Sequence, residues 1–443
     1  MNIFRNLFLN NRFYWAMGVV ITLMMFSFGF PILGAFAKTG FLLLLLLTIA
    51  DVFLLFNRNI RITVRRSVPP VLSLGDENQI ELSVSADTPI RLHGVIVDEI
   101  PEQFQQRDFY IPLELGIGKQ FNEKYVLRPV SRGLYHFGET HLFISSPIGL
   151  AKRKLSFANQ EDIPVYPSII QMKRFELKTF DKKASEYGVK KVRRIGHSYE
   201  FEHIKQYARG DDYRSINWKV TSRRAQLMVN QYEDEKSQQV YCVIDKSRVM
   251  HMPFGGLSLF DYAVNAALVI SNIALGKQDK AGLITFDSST KSVIKAERSK
   301  TQLKKILEAL YNEREDLVEA SYENLYMTVK HHVSGRSLLF LYTNFESTYA
   351  LQRALPYLKK LNKHHLLVVV FFENTEITAV TSGIATDLED IYKQITAEQY
   401  VLAKVQMVQQ LRQIGISSIL TAPEHLTVTS INKYLELKSR GMI

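Results

Sequence analysis

The sequence predicts three parts in one chain. These are two apolar segments able to cross a bilayer, an all-β sandwich of immunoglobulin-like size, and a C-terminal α/β domain of Rossmann type with a mainly parallel sheet. Three observations carry that prediction. Residues 13–56 are mostly apolar and carry no charge apart from Lys38 and Asp51. Residues 60–167 read as short stretches of period two between turn signals. From residue 239 onward, continuous apolar strands alternate with helical stretches.

Phe13 to Phe36 carries no charged residue and is long enough to span a membrane. Lys38 and Thr39 interrupt it, and Gly40 to Phe56 forms a second, shorter run. Asp51 lies about a turn from the end of that run, where a carboxylate can reach interfacial water; a proton relay is the competing reading of an acid at this depth. Ala35-Phe36-Ala37 resembles a signal-peptidase site. However, the preceding apolar run exceeds a signal core of about 7–15 residues, and a second run follows at once. A helical hairpin over residues 1–59, with helices at about 13–36 and 40–56, is therefore expected. Arg5 and Arg12 flank its start, and Arg58, Arg61, Arg65 and Arg66 follow its end. The positive-inside rule then puts both ends, and the soluble remainder, on the cytoplasmic side of a bacterial inner membrane.

Residues 60–167 alternate. Ile80-Glu81-Leu82-Ser83-Val84 is the clearest case, and Val95/Val97, Tyr125/Leu127 and Leu142/Ile144 repeat it between turn signals such as Gly75-Asp76 and Arg132-Gly133. No long helical stretch intervenes, so an antiparallel sandwich is expected. Residues 168–238 form a basic, poorly periodic linker that holds much of the net charge of +11. It has neither a recognition fold nor an aromatic stacking platform for nucleic acid. An anionic leaflet or an acidic partner suits it better.

Residues 239–443 read as a strand at Val240–Asp245, a helix at Leu259–Gly276, strands at Ala281–Phe286 and Ser337–Tyr342, and helices at Thr301–Asn312 and Thr348–Leu361. A strand at Leu366–Phe372, a helix at Asp387–Ile414, a strand at Ile416–Thr421 and a helix at Val428–Lys438 complete the domain. Continuous apolar strands between helices indicate a parallel sheet covered on both faces. Ligands bind such sheets at the carboxyl ends of the strands.

At the first of those ends stands Asp245-Lys246-Ser247-Arg248-Val249. A D-x-S-x-S loop there is the first element of a metal-ion-dependent adhesion site, where a carboxylate and hydroxyls cage Mg²⁺. Val249 supplies no oxygen where a second serine would stand, and Thr343-Asn344 lies where a further aspartate would. Asp245 and Ser247, with Ser321 as a third donor, make a degenerate metal site with weak Mg²⁺ binding at most. A second cluster runs from Glu200 to Lys219. In it Arg209, Asp211, Asp212, Arg214, Asn217 and Trp218 are candidates for partner binding, together with Asp245 and Ser247. Arg214 and Trp218, four apart, are expected to stack on one helical face. The structural alternative is a clasp of paired charges with Trp218 packed on the sheet.

No phosphate-binding loop, dinucleotide fingerprint, H-E-x-x-H or G-x-S-x-G motif occurs. The single cysteine, Cys242, excludes disulfides within the chain and Cys-rich zinc sites. A non-enzymatic protein is therefore expected. The rivals are a Mg²⁺-dependent hydrolase using Asp245, Asp211 and Asp212, and a purely structural envelope protein.

Three stretches resemble a bacterial membrane protein family known as domain of unknown function 58. They are Arg132-Gly133-Leu134-Tyr135 with Ser146-Pro147-Ile148-Gly149-Leu150 and Val165-Tyr166-Pro167, where serine replaces a usual aspartate; Phe201 to Trp218; and Ser247 to Met250. The resemblance implies a membrane-anchored protein with a von Willebrand factor A-like domain. It further implies an adaptor or co-chaperone that works with a MoxR-type AAA+ ATPase in assembling or activating other complexes.

Overall fold

In the computed structural model the described residues are 3–27, 29–57, 59–106, 109–116, 118–180, 200–208, 211–233, 237–381 and 387–442. The chain divides into two compact units, Met1–Tyr166 and Pro167–Ile443.

The first unit opens with α1 (Ile3–Asn6), β1 (Leu7–Leu9), α2 (Asn11–Phe26) and α3 (Pro31–Leu55). The break between α2 and α3 falls at residues 27–30, not at Lys38-Thr39 as expected. Pro31 explains it. Its ring fixes φ for a first helical turn and it has no N–H to leave unpaired, so it starts a helix and cannot continue one. Lys38 and Thr39 are carried inside α3, where the Thr39 hydroxyl donates to the carbonyls of Ala35 and Phe36. At 16 residues α2 is about 24 Å long, short of a hydrocarbon core of roughly 30 Å. Among the described residues, Ile32–Leu55 alone near the N-terminus is long and apolar enough to cross a membrane.

The β-rich remainder of this unit contains β2 (Arg61–Ser67), β3 (Leu72–Ser73), β4 (Asn78–Asp87), β5 (Leu92–Asp98), β6 (Tyr110–Leu115), β7 (Lys119–Leu127), β8 (Gly133–Phe137), β9 (Thr140–Ser145), β10 (Ala151–Phe157) and β11 (Glu161–Tyr166). They form sheets ordered β1-β10-β9-β5-β6, β2-β4-β7 and β3-β11-β8, antiparallel except at β3–β11. Alternation decides which face is inside: Ile80, Leu82, Val84 and Ala86 of β4 are buried, as are Leu142 and Ile144 of β9. Among them lies a buried ion pair, Arg66 Nη1 to Asp98 Oδ1 at 2.6 Å. Tyr125 and Thr140 hydroxyls also donate to Asp98, at 2.5 and 2.9 Å. Arg66, expected as a membrane-flanking cation, is thus core structure.

Asp51 departs from expectation in the same way. It does not reach water but is 0% exposed. Its carboxylate accepts from the backbone N–H of Leu150 and Ala151, both at 2.8 Å, and from the Ser146 hydroxyl. The Ser146-Pro147-Ile148-Gly149-Leu150 turn therefore wraps the acid, and Arg153 donates to the carbonyl of Leu55 at 2.8 Å at the end of α3. These bonds fasten the end of the apolar helix to the sheets.

The second unit begins with α4 (Ile169–Phe180), then β12 (Glu200–Gln206), α5 (Trp218–Arg224) and β13 (Met228–Glu233). It continues through β14 (Gln239–Asp245), β15 (Pro253–Phe254), β16 (Leu257–Ser258), α6 (Leu259–Gly276), β17 (Lys280–Phe286), β18 (Thr290–Glu297), α7 (Gln302–Asn312), α8 (Tyr322–His332) and β19 (Leu338–Tyr342). It ends with α9 (Thr348–His364), β20 (Leu366–Phe372), α10 (Thr375–Thr381), α11 (Leu388–Gln413), β21 (Ser417–Thr421) and α12 (Leu426–Ser439). Six strands make one mixed sheet, β18-β17-β14-β19-β20-β21, parallel except at the β18 edge.

Both faces of this sheet are covered. Val240, Cys242 and Ile244 pack toward α6, α7 and α12, and Tyr241, Val243 and Leu339 toward α8, α9 and α11. The apolar helix α6 also passes a length-and-composition test for a membrane span, yet it is 78% buried as the core helix of this unit. At Gly282 a Cβ would come within 2.5 Å of the Tyr241 ring, so a side chain there would push β17 off β14.

Candidate functional site

The parallel strands β14, β19 and β20 bring their carboxyl ends to one edge of the sheet. Asp245 ends β14 and is 0% exposed. It accepts from the Ser247 backbone N–H at 2.9 Å and from the Thr343 hydroxyl at 2.6 Å. The Tyr322 hydroxyl, which opens α8, lies 3.5 Å from the same carboxylate and 2.8 Å from the Thr343 hydroxyl. Burial raises the pKa of Asp245, while Ser247, Thr343 and Tyr322 oppose that rise by favouring the ionised form. Burial and the Asp245 charge together push the Tyr322 phenol well above its ordinary value, so it acts here as a donor and not as a base.

Beside this node is a buried ion pair. Lys246 Nζ meets Glu313 Oε2 at 2.9 Å, and the other Glu313 oxygen accepts from Thr285 and Ser292 hydroxyls at 2.8 and 2.5 Å. Asn344, next to Thr343, is held by a cation as well. Lys404 Nζ donates to Asn344 Oδ1 at 2.5 Å and to the Phe345 carbonyl at 2.7 Å. Lys404 is 3% exposed, and burial pushes its pKa down to about 8, with Glu346 pulling the other way.

The degenerate metal site thus receives a physical account. Asp245 is engaged by protein donors, Val249 offers no side-chain oxygen, and the Asn344 oxygen faces the Lys404 ammonium. The third donor expected, Ser321, caps α8 by accepting from the Asn324 N–H at 3.3 Å. Only the Ser247 hydroxyl lacks an aligned hydrogen bond, although it sits close enough to Asp245 to favour its ionised form. This donor set does not fit a hard dication, which needs several free oxygens converging on one point. Among the described residues no group of three or more His, Cys, Asp or Glu is placed to hold a metal.

Above Ser247 opens a cavity of about 270 Å³, lined by the β14, β19 and α8–α9 loops. Its rim is a chain of exposed, mutually paired charges: Arg248 is 3.7 Å from both Glu319 and Glu346, and Arg353 is 3.3 Å from Glu319. Tyr322 and Phe345 stack as its aromatic wall, with ring centroids 5.7 Å apart.

The second candidate cluster lies on the two-stranded β12–β13 arm. Arg209 and Gly210 fall outside the described residues. Asp211 accepts from the Ala208 N–H at 2.9 Å and from Lys205 Nζ at 3.0 Å. Asp212 caps the turn at Tyr213–Ser215 by accepting from the Arg214 N–H at 3.0 Å. Asn217 starts α5, accepting from Val220 N at 3.1 Å and donating to Asn230 at 2.8 Å.

The expected Arg214–Trp218 stack does not form. Arg214 sits in a separate tight turn, so four-residue spacing does not put it on the α5 face; its guanidinium lies 5.7 Å from the ring centre of Tyr213 instead. Nor is Trp218 packed on the sheet, since it is 68% exposed. The arm therefore presents Tyr213 and Trp218 to solvent. The partners of Asp211 and Asp212 lie within residues 205–214, whereas those of Asp245 are Ser247, Tyr322 and Thr343. The carboxylates belong to two separate hydrogen-bonded clusters.

The residues that sequence reading missed are Tyr322, Thr343, Lys404 and Glu313. Lys404 carried a signal, since it falls in line with Met407, Val408 and Leu411, the buried stripe of α11. A lysine in an apolar stripe marks a buried cation with a dedicated acceptor.

Residues 203–403 match the family described as "Protein of unknown function DUF58". A curated relative is the uncharacterized protein YeaD of Bacillus subtilis (strain 168), 26% identical over 183 residues, which are 40% of this chain and 45% of YeaD. The match thus spans less than half of that relative. Among solved structures, the CARDB domain of the PF1109 protein from Pyrococcus furiosus is 13% identical and covers 24% of this chain and 90% of that one, with a TM-score of 0.18. Proximal thread matrix protein 1 from the mussel byssus is 10% identical and covers 46% of each chain, with a TM-score of 0.27.

Proposed function

We propose that this DUF58 protein is a membrane-anchored protein-interaction module and not an enzyme. In this reading the α2–α3 segment anchors the chain in a bacterial inner membrane, with both soluble units in the cytoplasm. The β-rich unit is an immunoglobulin-like spacer. The second unit is a von Willebrand factor A-like head, and its carboxyl-end loops dock a partner of the MoxR-type AAA+ ATPase class. The observation that carries the reading is the closed node at Asp245. A position that would catalyse or chelate needs free, convergent donors, whereas here Thr343, Tyr322, Lys404 and backbone N–H groups use them internally. What remains exposed is a concave, charged rim, suited to a protein surface. Paired rim charges contribute register and encounter rate more than affinity.

The hydrolase alternative requires Asp245, Asp211 and Asp212 to share one cavity, and their separate clusters give it no support. Affinity capture from detergent-solubilised membranes tests the reading. The wild-type chain is expected to retain an AAA+ ATPase, and Arg353→Glu, which puts a third carboxylate beside Glu319 and Glu346 on the rim, is expected to lose it while remaining folded. Recovery of envelope structural proteins alone would favour a purely structural role, and equal capture by the variant would remove the rim from the interface.

A further inference from the structure

We propose that the cavity between the C-terminal ends of α8 and α9 binds a small phosphate-type oxyanion, either free phosphate or the headgroup of an anionic lipid. The cavity is about 360 Å³, within the roughly 300–1,000 Å³ of small-ligand sites. Lys330 of α8, Lys360 and His364 of α9, and Arg336 and His365 from the loops before β19 and β20 line it, and no carboxylate does. Among the described residues none of these cations has an ion-pair partner. Lys360 is steadied by aromatic faces instead, 5.5 Å from the ring centre of Tyr326 and 5.4 Å from that of Tyr357.

A second observation is independent of charge. His365 is 8% exposed, lines the cavity, and its Nδ1 has no hydrogen-bond partner. A buried imidazole nitrogen without a partner costs free energy unless something occupies the space before it. An oxyanion satisfies it once the ring turns toward the cavity, since Nδ1 is sealed from solvent and the Gly335 carbonyl stands beside the ring as a backbone acceptor. Burial and the neighbouring His364 lower the pKa of His365, and the Gly335 carbonyl opposes them. An anion would reverse that balance by adding a negative partner.

Helix polarity gives a simpler explanation for part of this patch, because Lys330 and His364 sit in last turns, where cations complement exposed carbonyls. It does not explain Arg336, which belongs to neither helix, nor the orphaned nitrogen of His365. The inference depends on neither the membrane reading nor the partner reading.

The test is calorimetric titration of the full chain in uncharged detergent at low salt. The probes are inorganic phosphate and, separately, short-chain phosphatidylglycerol. Saturable binding of at least one is expected. Arg336→Gln/Lys360→Gln is expected to weaken it about tenfold or more, the loss of two charge-assisted contacts. Lys359→Gln/Lys363→Gln removes the same charge from α9 outside the cavity and is expected to leave it unchanged. Binding of the lipid but not of phosphate would make the source a headgroup; binding of both equally would make it the phosphate itself. No saturable binding of either probe, or equal weakening by both double variants, would overturn the site. So would binding of polyglutamate where neither probe binds. Far-ultraviolet circular dichroism of each variant excludes unfolding as the cause of any loss.

Discussion

The two ends of the α8–α9 pair carry charge in opposite ways. At the N-terminal end, beside Asp245, almost every charge has a protein partner: Lys246 with Glu313, Arg248 with Glu319 and Glu346, Arg353 with Glu319. At the C-terminal end Lys330, Arg336 and Lys360 face a cavity with no carboxylate in its lining. The first arrangement is self-sufficient. It fixes the loops and offers a shaped surface. The second is incomplete, and an incomplete set of like charges is what an outside ligand of opposite charge recognises. One helix pair thus separates the proposed docking face from the proposed ligand cavity.

Breaking a pair at the first end is expected to have the largest effect. Glu313→Ala leaves Lys246 buried with only Asp316 at 3.5 Å, and should cost about 3 kcal/mol or more in denaturant unfolding. Arg336→Gln, at the other end, has no pair to break and should stay within about 0.5 kcal/mol. Equal costs would erase the contrast.

Asp245→Asn comes next. The amide cannot accept from Ser247 N, Thr343 and Tyr322 together, so about 1–3 kcal/mol should be lost. The same titration apparatus supplies a companion check: added Mg²⁺ should give no saturable heat with the wild-type chain, and micromolar binding would mean that the donors can reorganise around a cation.

Lys404 sharpens the comparison through pH. Its folded pKa is about 8, against roughly 10.4 in an unfolded chain. Below pH 8 both states hold the proton and the burial cost is fully present. Above pH 8 the folded state releases it first, so stability rises with pH. Between pH 7.5 and 9.5 the wild type should gain about 1–2 kcal/mol relative to Lys404→Met. Parallel curves would show that Lys404 is not desolvated.

Much of the second unit was legible because its strands and core helices are patterned locally. Leu366–Phe372 and Leu259–Gly276 occupy the residues read from the sequence, the latter starting at its Ser258 cap. The edge strand β18 was missed because five of its eight residues are polar, three of them exposed, which reads as loop. Helix α8 was missed although Tyr322, Leu325, Tyr326 and Val329 fall on one face, because two of those four are tyrosines and the short run ends in Lys330-His331-His332. The roles of Asp51 and Arg66 were illegible for a different reason. Their partners lie 95–100 residues away in one case and 32 in the other, and no local pattern announces a contact of that range. At the site, the D-x-S-x-V departure was legible, but the hydrogen-bonded set around Asp245 and Asn344 was not. What completes it, Tyr322, Thr343 and Lys404, comes from three separate segments.

Site-specific photo-crosslinking in intact cells tests the docking face most directly. A photoreactive residue would replace Tyr349, exposed in the first turn of α9 beside Arg353, or Lys363 at the far end of the same helix. A crosslink to an AAA+ ATPase at position 349 and none at 363 is the predicted result. A crosslink at 363 alone, or none at either position, would contradict it.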